Sequence, residues 1–315
     1  MFNKLNYKER IIGMNKRILI TSLLFLGIIL IGCGTPAGQT PSTVPTEKAK
    51  PTKFITPTEI VKPTEQPNPT TDPKEFANWY QKITIDDLKN TKKVESTDTL
   101  VSILSKKEYL ILLDSIPKDN IYLYGCSNGV ILRVKNKFQF FEWNYLTPRL
   151  IFPRIGCADY DKDGQKEVAI SLYTGSGTGI SIERLFLVKT RKDGTMHATE
   201  FDSNQYNAQL SERVVGKYDK TLKMLQFYID GKKAGKGINL TELIMDLGDY
   251  DRIVFGEQIL FNFINNKIIL EAKPGLVLKD MAAPMYDTMP NISAKVVFKN
   301  NKFSLTDFEF KEATE

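Results

Sequence analysis

The sequence predicts a mainly β fold with an N-terminal helical portion. It is an α+β arrangement whose strands pair antiparallel. Three observations predict it. After about residue 120, turn signals recur at spacings of mostly 8 to 15 residues. The runs between them are rich in β-branched and aromatic residues, which suit a pleated surface. Strands and helices do not alternate in the βαβ manner that a parallel sheet requires.

The helical portion is expected over residues 74–120. Pro73 suits a first helical turn, and KEFANWYQKI (Lys74–Ile83) follows it. In SKKEYLILLDSI (Ser105–Ile116), a serine with Glu108 three residues on has the form of a capping box, so a second helix is expected there. Strands are expected over residues 121–315. Ile121–Tyr124 and Val130–Val134 flank GCSNG as a hairpin. KFQFFEWNY follows as an aromatic strand. Alternation puts Phe141, Trp143 and Tyr145 on one face and Phe138 and Phe140 on the other. Core packing is the expected role for these rings, with a sugar-binding platform as the alternative.

Val168–Tyr173 and Ile180–Lys189 flank TGSGTG (Thr174–Gly179). That run lacks the Gly-Lys-Ser/Thr ending of a P-loop and the G-x-G-x-x-G spacing, so a flexible strand connection is expected. An anion nest made by its amides is the alternative. Turns at Lys192–Gly194, Asp230-Gly231, Asn265-Asn266 and within SAKVVFKNNKFSLTDFEF complete the series. DYD recurs at Asp159–Asp161 and Asp249–Asp251, an echo read as accidental because the second copy lacks the third aspartate.

Three parts organise the chain. Asn15-Lys16-Arg17 precedes an uncharged, mostly apolar run of 14 residues, Ile18–Ile31. That is shorter than the roughly 20 residues a bilayer span needs, and with its basic flank it reads as a signal peptide over residues 1–32, with Met14 as an alternative start. Residues 33–73 are rich in proline and threonine with little apolar surface, which predicts an unfolded tether. In extended polyproline conformation such a tether reaches on the order of 100 Å. Residues 74–315 are the folded part, long enough for one domain or two small ones.

The formal net charge of +6 lies largely outside that part. Residues 1–32 hold five basic residues and one acid, and the tether balances four lysines against four acids, which leaves the remainder near +2. No basic footprint for nucleic acid remains. Cys126 and Cys157 each precede a turn, so in an oxidising compartment they can pair as a disulfide; two buried thiols are the alternative. His197 is the only histidine, which excludes two-histidine metal motifs and leaves one candidate base for a nucleophile. It reads as a partly exposed strand residue.

The most informative stretch is Asp159-x-Asp161-x-Asp163-Gly164-Gln165-x-Glu167. Alternate carboxylates in a tight loop can turn inward, glycine permits the reversal, and Gln165 can add its backbone carbonyl. A bound Ca2+ is the expected reading, because calcium takes six to eight oxygens. A solvated acidic turn and a catalytic acid pair are the alternatives. The twelfth position is Ile170, so this is not a helix-loop-helix calcium hand.

Two resemblances follow from these residues. Leu30-Ile31-Gly32-Cys33 resembles the lipobox of bacterial lipoproteins, which implies a diacylglycerol on the Cys33 sulfur and cleavage just before it. The acidic loop with EVAISLY after it resembles the calcium loops of FG-GAP and VCBS-type β-propeller repeats, over Ile155–Val188, which implies propeller-blade-like sheets where a sandwich-like arrangement is the alternative. One such unit is clear where a full propeller needs several, as in uncharacterised bacterial lipoproteins with a single VCBS-like unit, a family that implies no activity.

Together these imply a lipoprotein held to the extracytoplasmic face of a membrane through its N-terminal lipid. It is expected to carry a structural Ca2+ and to bind an envelope glycan or protein without catalysis. A cell-envelope hydrolase using carboxylates such as Glu183, Asp249 or Asp251 is the alternative, and a solute-binding lipoprotein is a third reading.

Overall fold

The computed structural model describes residues 80–312. The expected signal peptide, Met14 start, Cys33 lipidation site, tether and helical segment Lys74–Trp79 lie outside the described residues. What is described is mainly β. Two short helices come first, α1 (Ile85–Asn90) and α2 (Thr97–Leu104). Thr84 caps α1 in a capping box with Asp87, and Ser96 caps α2 through the Thr99 N–H.

The second expected helix is instead a strand. Leu110–Ile116 forms β1, and Ser105 ends α2 rather than starting a helix. The physical reason is burial on both sides. Ile111 and Leu113 face one apolar cluster, whereas Leu110 and Leu112 pack on another. A strand covered on both faces reads as a continuous apolar run, which periodicity cannot separate from a buried helix.

β1 pairs with β2 (Ile121–Cys126), β2 with β3 (Gly129–Val134), and β3 with β4 (Lys137–Phe141). This four-stranded meander includes the expected GCSNG hairpin. β4 stops at Phe141, short of the expected strand through Tyr145. The expected division of rings is nevertheless kept: Phe141, Trp143 and Tyr145 pack on one side of the meander, and Phe138 and Phe140 on the other. Trp143 is stacked between Phe141 and Phe186 at centroid distances of 4.2 and 3.9 Å, so it serves the core.

The second sheet has eight strands. β5 (Arg154–Ala158), β6 (Glu167–Gly177), β7 (Ile180–Thr190) and β8 (Met196–Phe201) pair in succession. β6 and β7 run straight through most of TGSGTG, leaving a connection of only Thr178-Gly179. The stretch is therefore a strand end with a bulge near Gly175, not a flexible loop.

α3 (Ser203–Arg213) follows, capped by Asp202. β9 (Val214–Asp219), β10 (Met224–Ile229) and β11 (Lys232–Asn239) form a three-stranded sheet. After α4 (Thr241–Leu247), β12 (Tyr250–Val254) pairs with β15 (Gly275–Leu278). β13 (Gln258–Ile264), β14 (Lys267–Ala272), β16 (Asn291–Lys299) and β17 (Lys302–Lys311) complete the large sheet. Asn265-Asn266 and Asn300-Asn301 all take positive φ, the mirror-image turn geometry that suits strand twist.

One pairing departs from the antiparallel expectation. β13 joins β7 in parallel, through Gln258↔Ser181 and Ile259↔Ile182. The two strands sit side by side although several elements separate them in sequence.

Residue alternation on β6 and β7 organises the layers. Val168, Ile170, Leu172, Phe186 and Val188 face the four-stranded meander. Ala169, Leu185 and Leu187 face the opposite way, toward Tyr206 and Leu210 of α3. A third cluster, around Leu225, Phe227, Leu276 and Leu278, unites the two smallest sheets.

Glu183 lies in the helix-covered layer, 3% exposed. Arg154 donates to both of its carboxylate oxygens at 2.7 and 2.8 Å. Ser171 and the Phe261 N–H each donate to Oε2 at 2.7 Å, and Arg154 also reaches the Phe261 carbonyl at 2.9 Å. Replacing Glu183 by alanine leaves these partners without their acceptor. Arg154 is 40% exposed and keeps access to water, so the loss falls on the buried Ser171 and Phe261 donors, about 1–3 kcal/mol each. Urea unfolding of Glu183→Ala should show that loss, with Glu183→Gln intermediate; an unchanged midpoint contradicts the assignment.

Candidate metal centre

The acidic loop closes the β5–β6 hairpin. Ala158 and Glu167 pair in register at its base, so the chain between them must reverse within eight residues. Lys162 and Gly164 take positive φ (65° and 88°) to do so. Side chains of the loop fold back onto its own amides. Asp159 Oδ2 accepts from Gly164 N–H (3.1 Å), Asp161 Oδ1 from Asp163 N–H (3.2 Å), and Asp163 Oδ1 from Gln165 N–H (2.8 Å). Glu167 Oε2 accepts from Tyr160 N–H at 2.7 Å.

These turns bring four carboxylates together. One oxygen each from Asp159, Asp161, Asp163 and Glu167 lie within 4.8 Å of one another. Glu167 is buried, Asp161 half-buried, and the other two exposed. Gln165 is exposed and lines a cavity of about 260 Å³ beside the cluster, with its N–H committed to Asp163. The donor set is oxygen only, which fits a hard cation and not a soft one. The cluster can therefore hold a metal ion.

A residue that sequence reasoning missed completes the site. The Lys189 ammonium, from β7, reaches Asp161, lies 3.0 Å from Asp163 Oδ2 and 3.9 Å from Glu167 Oε1. It is a built-in countercharge. Its only sequence signal is a lone lysine ending an apolar strand, and its relevance depends on β6–β7 register, which places Val188 opposite Val168.

The charges respond to one another. Burial pushes the Glu167 carboxyl up, partly offset by the Tyr160 N–H, while nearby Asp161 adds to the rise. Hydrogen bonds from Lys189 and the Gln165 N–H hold Asp163 below the usual carboxylate range. Partial burial pulls the Lys189 ammonium down, but Asp161 and Asp163 outweigh it and hold it above an ordinary lysine.

Other candidate residues are placed elsewhere. Glu183 is saturated by the partners described above. Asp249 lies between Lys220 and Lys279 at 3.9 and 3.8 Å, and Asp251 pairs with Arg252. Asp249 directly precedes β12 and Asp251 lies within it, so the DYD echo has no matching loop geometry. His197 is exposed on β8, opposite Lys189 in register. The two cysteines do not form the disulfide left open by the sequence. Cys126 is buried, donates to the Gly129 carbonyl at 3.3 Å, and has its thiol pushed up to about 12 by burial. Cys157 packs on a different apolar cluster, on the other side of the meander. Comparison with known protein families, curated proteins and solved structures returns no match.

Two substitutions separate the roles of lysine and carboxylate. Lys189→Met removes the ammonium with which any divalent cation must compete. It should lower the metal-free melting temperature and tighten metal binding roughly tenfold, as read by calorimetry. Glu167→Gln should do the reverse. With Glu167 raised by burial, its share of stability is present below the ordinary glutamate range and lost as pH rises through its folded value. The amide stays neutral there, so near pH 7 the metal-free variant should melt no lower than the parent while losing its response to metal.

Proposed function

We propose that the chain is a lipid-anchored extracytoplasmic module whose Asp159–Glu167 loop binds one structural Ca2+. It acts by holding an envelope partner rather than by catalysis. The convergence of four carboxylates at the start of β6 carries the metal part of this reading. Four carboxylates, a Gln165 carbonyl and waters in the adjoining cavity reach the six to eight oxygens that calcium takes. Mg2+ fits less well, since it demands octahedral geometry and keeps its waters. The role is structural because the loop fixes the entry to β6, the strand that contributes to two apolar clusters.

The anchor part is supported by Leu30-Ile31-Gly32-Cys33 after a short apolar run. Each buried lipid methylene contributes about 0.8 kcal/mol, so two or three acyl chains make the attachment effectively permanent. The proline-rich segment after Cys33 then serves as a spacer.

An ion that binds only the folded chain stabilises it by about 2.7 kcal/mol at a hundredfold excess over Kd. For a domain of this size that is roughly 5–10 °C. Chelation of the full chain in detergent should lower the melting temperature by that order, calcium should restore it, and Asp161→Ala should abolish the response. A melting curve indifferent to chelator and to millimolar calcium refutes the metal reading. Separately, Cys33→Ala should eliminate labelling by a clickable fatty acid; unchanged labelling refutes the anchor.

A further inference from the structure

The three-stranded sheet β9–β11 buries one face, where Val214, Leu225 and Phe227 join the third apolar cluster. Its other face is a trough of about 600 Å³. The trough arises from an irregularity in register. Leu225 pairs with Ile238, but Phe227 pairs with Ala234, so a single β10 residue, Gln226, lies across from Gly235, Lys236 and Gly237. The Gln226 amide bridges the gap by donating to the Phe227 and Ala234 carbonyls at 3.1 and 2.9 Å. Gly237 lies in the floor beside Met224.

Two lysines, Lys217 and Lys233, and one acid, Asp219, line this face, within a segment that is basic as a whole. Val214–Asn239 holds six lysines, Lys217, Lys220, Lys223, Lys232, Lys233 and Lys236, against Asp219 and Asp230. Asp230 is paired with Arg213, and Lys220 lies 3.9 Å from Asp249. Lys217 and Lys233 line the trough, and the Lys217 ammonium is held 4.7 Å over the Tyr228 ring.

We propose that this trough binds an acidic polysaccharide. A concave, glycine-floored channel admits a linear chain, whereas a bilayer presents a plane. The lysines match carboxylates along such a chain. Asp219, in the trough wall, commits Oδ1 to the Thr221 and Leu222 N–H groups, and its Oδ2 can accept from a sugar hydroxyl. The inference rests on the binding-module reading above and names the class of its partner; it does not depend on the calcium loop.

The test uses the full chain in detergent and polygalacturonate as probe, in affinity electrophoresis at low and physiological salt. Retardation should be saturable, absent with neutral dextran, and weaker at higher salt. Lys217→Glu combined with Lys233→Glu should weaken it roughly tenfold. Lys299→Glu with Lys302→Glu, the same charge change at the exposed β16–β17 turn, should leave it unchanged. Equal loss in both double variants, equal binding of polyglutamate, or no retardation at all overturns the proposal. So does binding to phosphatidylglycerol vesicles, beyond that to phosphatidylcholine, with the same lysine dependence, which assigns the face to a membrane surface. An intact calcium-dependent melting shift alongside any of these failures leaves the metal reading standing and removes only the trough.

Discussion

The Arg154–Glu183 pair is the constraint on which the large sheet depends. β13 runs beside β7 for two residue pairs and then diverges. Beyond that point the Phe261 N–H and carbonyl still face β7 but have no strand to pair with. A buried backbone group without a partner costs free energy comparable to a lost hydrogen bond. Glu183 accepts the N–H and Arg154 donates to the carbonyl, so one ion pair replaces a missing piece of ladder. Because Arg154 comes from β5 and Ser171 from β6, four strands meet at this point.

The acidic loop addresses the opposite problem. At Glu183 a charge is buried with every oxygen occupied. In the loop, four carboxylates approach one another with one lysine to offset them. Such an arrangement is tolerable only because Asp159 and Asp163 remain in contact with water and because loop amides supply donors. It is also what an adaptable cation site requires. Oxygens held by weak local turns can rearrange around an ion, whereas those fixed by Arg154 and Ser171 cannot.

Local chemistry was legible in the sequence, and long-range pairing was not. Asn265-Asn266, Asn300-Asn301 and Asp230-Gly231 announced their turns because left-handed backbone favours those residues. The carboxylate spacing at Asp159–Glu167 announced the loop for the same reason, since its geometry is set within nine residues. Leu110–Leu113 misled because double-sided burial erases the alternation that marks a strand. Glu183 read as a catalytic candidate, because nothing near it in sequence indicates Arg154 or Phe261. Lys189 carried no signal without the β6–β7 register. Residues whose role is decided by a distant strand are the ones that pattern alone misassigns.

The parallel seam between β7 and β13 has a kinetic consequence. Nearly every other strand pair in the large sheet is a neighbour in sequence, closed by a short turn that forms on the microsecond scale. The seam instead closes roughly 75 residues of intervening chain, an entropic cost incurred before any contact offsets it. Meander and hairpins can therefore assemble early on either side, with the seam as the late step that commits them to one sheet. In the reverse direction it is the natural line of parting. Under force or denaturant the strands from β13 onward should detach as one cooperative block while β1 to β7 still hold their protons against exchange.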